Sequence, residues 1–140
     1  MVWLEWNGFD ATLTGGPTYN SSGDFTFDVT NDYASCTLTN INLDSGCTLE
    51  CYVKRPSTPS GWRTYFNIKK TGNSPFIEFR TSGATLDAAF LYYSGTTSYN
   101  TSYKSIDNTN YWHLLGTYDG SSTLTFYVNG DLHSTASTVS

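Results

Sequence analysis

Hydrophobic and polar positions alternate along much of this 140-residue chain. Near its end, TYDGSSTLTFYVNGDL sets Leu124, Phe126 and Val128 between Thr125, Tyr127 and Asn129. A period of two sends successive side chains to opposite faces of a strand. Asp119-Gly120 precedes this run and Asn129-Gly130 follows it, and such pairs favour the positive φ of tight hairpin turns. The segment YWHLLGTYDG supplies the strand before it. A strand so plainly marked needs a neighbour on its other side as well, and little sequence is left to provide one.

The same alternation recurs upstream. In SGCTLECYVKRP, Cys47, Leu49, Cys51 and Val53 point one way, and Thr48, Glu50, Tyr52 and Lys54 the other. This strand stops at Arg55-Pro56, where proline cannot donate to a ladder. RTYFNIKKTG, PFIEFRTSG and LDAAFLYYSG read as strands separated by glycine-bearing turns, and SYNTSYKSI as a polar edge strand. Earlier, ATLTGGPTYNSSG gives a short strand, a turn and a polar loop, and DFTFDVTNDYASCTLTN gives two short strands broken at VTND. Residues 1–11 read as an irregular segment carrying Trp3 and Trp6. The pattern predicts about nine or ten strands, no helix and turns every ~8–12 residues, an all-β antiparallel β-sandwich or jelly roll.

Composition narrows the function. Aromatics make up 16% of the chain, with 11 tyrosines, while charged residues make up only 14%. That excludes long solvated helices and argues against disorder. The net charge of −5, with seven scattered basic residues, repels phosphate backbones, so no nucleic-acid partner is expected. No apolar run reaches the ~18 residues of a membrane span, so no membrane insertion is expected. The N-terminus lacks the basic-then-apolar pattern of a signal peptide, and release by lysis, as for a virion protein, needs none. Cys47 and Cys51 share one strand face about four rises of ~3.3 Å apart, too far for a disulfide. Cys36 could meet either of them. The odd count and the absence of zinc spacing favour three reduced, small hydrophobes.

Two stretches resemble a known family. SSGDFTFDVTNDYASC resembles the FDGTNDYV-type entry segment of laminin-G-like jelly rolls in the concanavalin A-like lectin/glucanase superfamily. YWHLLGTYDGSSTLTFYVNGDL resembles that family's WxHVxGTYDGxxLxLYVNGxL hairpin, and CTLECYVKRP sits where the family has FTVSAWVKP. The resemblance implies a concanavalin A-like jelly roll over residues 12–140. Departures are Phe27-Asp28-Val29 in place of FDG, and Tyr111-Trp112 around the family's tryptophan. The family also continues into a segment resembling YIG…GxIDEVRIYN, which supplies closing strands. The expectation is therefore that the C-terminal strands are missing, and that another subunit completes an unpaired sheet edge in an oligomer.

The candidate sites follow. Glucanases of this superfamily carry closely spaced carboxylates on one strand, which can flank a glycosidic bond. Glu50 and Glu78 each stand alone, so the chain is not expected to be an enzyme. His113, beside Trp112, reads as a hydrogen-bonded structural residue. Asp28, Asn31 and Asp32 bunch on one turn in the segment that resembles the family's calcium-bearing region, and clustered hard oxygens suit Ca²⁺; Asp and Asn also simply make turns. For sugar binding, Trp62 lies in a Ser/Pro/Gly loop, and Tyr92, Tyr93, Tyr99 and Tyr103 cluster among Ser, Thr and Asn. One member of the Tyr92-Tyr93 pair must face away from the core. Asn20 and Asn100 open formal glycosylation sequons. The resemblance implies a non-catalytic module that binds glycan or host-surface carbohydrate, an adhesion unit of a virion or extracellular surface. The other reading is a purely structural virion component.

Overall fold

In the computed structural model the described residues are 11–28, 30–37, 43, 45–55, 57, 61–69, 75–83, 85 and 87–138. The segment 1–10, with Trp3 and Trp6, lies outside them. The chain forms two compact units, Met1–Ile41 and Asn42–Ser140. In the first, β1 (Thr12–Thr14) pairs antiparallel with β4 (Tyr33–Ser35), and β2 (Thr18–Tyr19) with β3 (Phe25–Thr26). The break between β3 and β4 falls at VTND, as the sequence predicts.

The second unit carries two four-stranded sheets. One has the order β12-β11-β10-β5, with β5 (Cys47–Val53), β10 (Trp112–Tyr118), β11 (Thr123–Val128) and β12 (Asp131–Ser137). The other has the order β6-β7-β8-β9, with β6 (Thr64–Lys69), β7 (Pro75–Thr81), β8 (Ala88–Ser94) and β9 (Thr97–Asn100). All of these pairings are antiparallel. The chain crosses from the first sheet to the second after β5 and returns after β9.

Alternation fixes which face of each sheet is inside. From the first sheet, Leu49, Val53, Leu114, Leu124, Phe126 and Val128 turn inward and are buried. They meet Ile77, Phe79, Ala88 and Phe90 of the second sheet. Phe79 is the hinge of the core, with its ring centroid 5.1 Å from Phe90 and 5.9 Å from Phe126. Such offset aromatic contacts add to the stabilisation that burial itself provides. At Gly116 of β10 the sheets approach so closely that a Cβ would lie 2.5 Å from Phe90 Cγ and 2.6 Å from its Cε2. The bare backbone is what makes room for that ring. Cys47 and Cys51 pack half-buried against the same core, and all three cysteines are free thiols. Burial pushes the Cys51 thiol up to about 12, with the charge of Glu50 adding to it.

Two expectations are corrected. The strand Thr123–Val128 does not lack a neighbour: β10 flanks it on one side and β12 on the other. The Asn129-Gly130 turn, with φ of 53° and 88°, consumes only two residues, so the seven that follow suffice for a strand. Among the described residues the two end strands of this sheet are β5 and β12. Along β12 the register skips between Phe126 and Tyr127, whose partners are Ser134 and Leu132, so His133 is an extra residue in a bulge. The polar edge strand of the second sheet is also shorter than SYNTSYKSI. It ends at Asn100, after which the Thr101 hydroxyl accepts from the Phe90 amide (3.1 Å) and donates to its carbonyl (3.2 Å). The Thr101 amide also donates to the Phe90 carbonyl at 3.0 Å, and Lys104 then bridges to Ala88.

Candidate functional site

On β7, Ile77 and Phe79 enter the core, so Glu78 and Arg80 turn to the outer face of the second sheet. Across the ladder, Thr64 of β6 pairs with Arg80 and Asn67 with Glu78. On β8, Tyr92 faces inward and Tyr93 outward. These positions bring Thr64, Glu78, Arg80 and Tyr93 together. Glu78 is 2% exposed although it is a carboxylate. A buried charge needs partners, and Glu78 has three. Oε1 accepts from the Tyr93 hydroxyl at 3.0 Å and lies 3.3 Å from Arg80 Nη1, and Oε2 accepts from Thr64 Oγ1 at 3.2 Å. Arg80 Nη1 also donates to the Tyr93 hydroxyl at 2.6 Å. Burial, followed by the Glu78 charge and hydrogen bond, pushes the Tyr93 phenol up to about 12. Tyr93 therefore stays protonated and keeps donating to Glu78 throughout the neutral range.

Trp62 completes the group. Its ring lies under the Arg80 guanidinium, 4.6 Å from centroid to Cζ, in cation–π geometry. Gly83 lets it lie close to the chain, since a Cβ there would come within 3.1 Å of Trp62 Nε1. The indole nevertheless remains 58% exposed. The result is an exposed aromatic surface beside a guanidinium that is held in place from beneath. Glu78 is saturated by its own neighbours, so Arg80 and Trp62 are the groups that face outward.

The structure sorts the sequence-predicted sugar residues. Trp62 and Tyr93 come together through Arg80. Tyr103 is half-buried, and its phenol is near enough to Tyr93 to add to the rise in that group's pKa. Tyr92 and Tyr99 do not join them. They pair across β8 and β9 on the inner face, and Tyr92 stacks on Tyr118 at 4.5 Å. Sequence reasoning missed Arg80 and set Glu78 aside as a lone carboxylate. The signal was there: two charges at i and i+2, interleaved with Ile77 and Phe79, must share the face opposite the core.

Glu50 and Glu78 cannot act as a catalytic pair. Glu50 projects outward from β5 in one sheet and Glu78 outward from β7 in the other. They lie on opposite outsides of a sandwich whose sheets pack about 10 Å apart, beyond the reach of carboxyls that flank one bond. Glu50 instead accepts from His113 Nε2 at 2.7 Å, and the imidazole stacks on Tyr52 at 4.7 Å. That is the hydrogen-bonded role expected of His113.

The acidic turn is engaged in its own folding. Asp28 Oδ1 accepts from the Thr30 amide and Asp32 Oδ2 from the Asp28 amide, both at 2.8 Å. Asp32 Oδ1 is buried and has no hydrogen-bond partner. Among the described residues no three Asp, Glu, His or Cys side chains gather as a metal site. Asp28 and Asp32 serve at the least as turn-making residues.

A laminin-G-type family model, described as the Concanavalin A-like lectin/glucanases superfamily, matches residues 28–140. The chain belongs to this superfamily. Comparison with curated proteins and with solved structures gave no match. The concanavalin A-like match opens at Asp28 in the acidic turn and takes in every strand from β4 to β12. Domains of this superfamily often bind carbohydrate, and its laminin-G-like, lectin-type members are typically non-catalytic.

Proposed function

We propose that the domain binds carbohydrate without transforming it, through the outer face built by Trp62, Arg80 and Tyr93. The observation that carries this reading is an indole 58% exposed beside a guanidinium locked by a carboxylate that is 2% exposed. A pyranose offers an apolar C–H face and a rim of hydroxyl oxygens. The C–H face packs on the indole, and Arg80, which has donors only, serves the oxygens. Because Glu78 and Tyr93 already hold Arg80, little ordering cost is added when ligand arrives. The superfamily's frequent carbohydrate binding supports the same reading.

In its wider form the proposal is an adhesion module of a virion or cell surface that engages host-surface glycan, with other copies docking on the β12 edge. The structural alternative, a capsid, fibre or spike unit, draws on Tyr52, Tyr111 and Leu132, which are 50%, 47% and 60% exposed on the first sheet and its rim. The test is a glycan-panel measurement on the purified chain, with calcium and with chelator, and on Trp62→Ala. Binding that falls at least tenfold in a folded Trp62→Ala, and that chelator leaves intact, is expected. Full-strength binding by that variant removes this site. No binding by the folded parent chain moves the function to the structural role.

A further inference from the structure

A cleft of about 170 Å³ opens beside the β11–β12 turn, and none of the residues singled out in the sequence as ligands lines it. Trp112 of β10, Val128 of β11, Asn129 of the turn, and Asp131, Leu132 and His133 of β12 line it from the first sheet. Lys104, which follows β9, lines it from the second. We propose that this cleft is a second binding site, for a single uncharged polar ring such as one neutral hexopyranose. The site is independent of the Trp62 face.

Size, rigidity and chemistry each support it. An enclosed cavity of about 150 Å³ holds a benzene-sized ring; this cleft is of that order and open on one side, which leaves room for ring substituents. Its rim is fixed. Asn129 sits in the left-handed region at φ 53° beside Gly130 at 88°, its amide donates to the His113 carbonyl at 2.9 Å, and its Oδ1 accepts from the His113 amide at 3.0 Å. The bulge inserts His133 as the extra residue of β12. Its ring stands edge-on to Phe126 at 5.7 Å, and Nε2 donates to the Tyr103 carbonyl at 3.3 Å. Bulges commonly re-aim a side chain at a functional site.

The lining combines an apolar part, Trp112, Val128 and Leu132, with convergent polar groups, as ligand pockets do. Lys104 is a donor, Asp131 an acceptor, and the Asn129 amide nitrogen a donor. One cation and one carboxylate balance, which favours a ligand with no net charge whose hydroxyls both donate and accept. Trp112 Nε1 is buried with no hydrogen-bond partner. Because that nitrogen is closed to solvent, the indole N–H serves as a reporter of binding rather than as a donor to the ligand.

The experiment is two-dimensional amide and indole NMR on the full chain, titrated with methyl glycosides of neutral hexoses, a uronic acid and a hexosamine. Neutral glycosides are expected to shift the Trp112 indole N–H and the Asn129 side-chain amide. The same shifts are expected in Trp62→Ala, which separates this site from the face proposed above. They should weaken at least tenfold in Asp131→Ala, at an exposed position, and in Lys104→Ala, at a half-buried one. Shifts that disappear in Trp62→Ala would make the cleft a mere extension of the other face. Stronger binding of the uronic acid or the hexosamine would overturn the neutral class, and absence of shifts at Trp112 and Asn129 with every probe would overturn the site.

Discussion

Replacing Gly116 with Ala tests the sandwich at the point where its sheets come closest. The added methyl would lie 2.5–2.6 Å from Phe90 ring carbons, whereas carbons settle about 3.5–4.0 Å apart. Something must move by roughly 1 Å in a densely packed interior. Phe90 is fully buried between Phe79 and the β10 backbone and has little freedom to do so. Overpacking of this kind costs about 1–3 kcal/mol. Working against it, Gly→Ala at a position of ordinary φ stabilises by about 0.4–1 kcal/mol through the unfolded chain. The steric effect wins, and the net loss is about 1–2 kcal/mol. Urea unfolding followed by tryptophan fluorescence reads this as a lower midpoint at unchanged slope. The decisive comparison is the background. Phe90→Ala alone costs about 3–5 kcal/mol, and once the ring is gone Gly116→Ala should turn neutral or stabilising. Equal destabilisation in both backgrounds, or a stabilised Gly116→Ala single variant, would refute the proposed contact between the sheets.

Other expectations follow from the same geometry. Glu78→Ala strands Arg80 and Tyr93. Since Arg80 is 24% exposed, the cost should be about 2 kcal/mol, below the 3–5 of a fully buried pair; unchanged urea stability would mean that Glu78 does not organise the face. The Asp119 carboxylate accepts from the amides of Ser121, Ser122 and Thr123 at 2.8, 2.8 and 3.0 Å, which holds its pKa well below the usual carboxylate range. A depressed folded-state pKa contributes stability that is present above the unfolded value near ~3.9 and is lost as pH falls toward the folded one. Asp119→Ala should therefore melt lower than the parent at pH 7, with the gap narrowing as pH falls below about 4; a gap undiminished at pH 2 contradicts this. Cys51, with its thiol pushed up to about 12, should resist iodoacetamide at pH 8 until the chain is unfolded, which mass spectrometry of the labelled peptide checks.

Much of the sandwich was legible because alternation is a local signal. Leu49 and Val53 in β5, and Leu124, Phe126 and Val128 in β11, face inward as their spacing requires. Turn chemistry did the same for Asp119-Gly120 and Asn129-Gly130, since φ preference belongs to the residues themselves. The segment DLHSTAS gave a weaker signal. It is polar, carries a bulge and lies at an edge, and it becomes a strand by pairing with β11. Its one local mark is the Asn129-Gly130 turn before it; the rest of its stabilisation is non-local.

The sequence by itself determined the all-β class, the inward faces of the strong strands, the tight turns and the resemblance to the superfamily. It determined that Tyr92 and Tyr93 face opposite ways, but not which of the two faces out. Only the tertiary structure decided that, because the inner face of β8 is defined by what Phe79, Phe90 and Tyr118 pack against. It also drew Trp62, Glu78, Arg80 and Tyr93, which come from one loop and two strands, onto a single surface. It placed Lys104 opposite Trp112, Asn129 and Asp131 across a cleft. Alternation assigns a side chain to one of two faces. Which residues share that face across strands is set by ladder register and sheet order, and both depend on contacts between segments far apart in the chain.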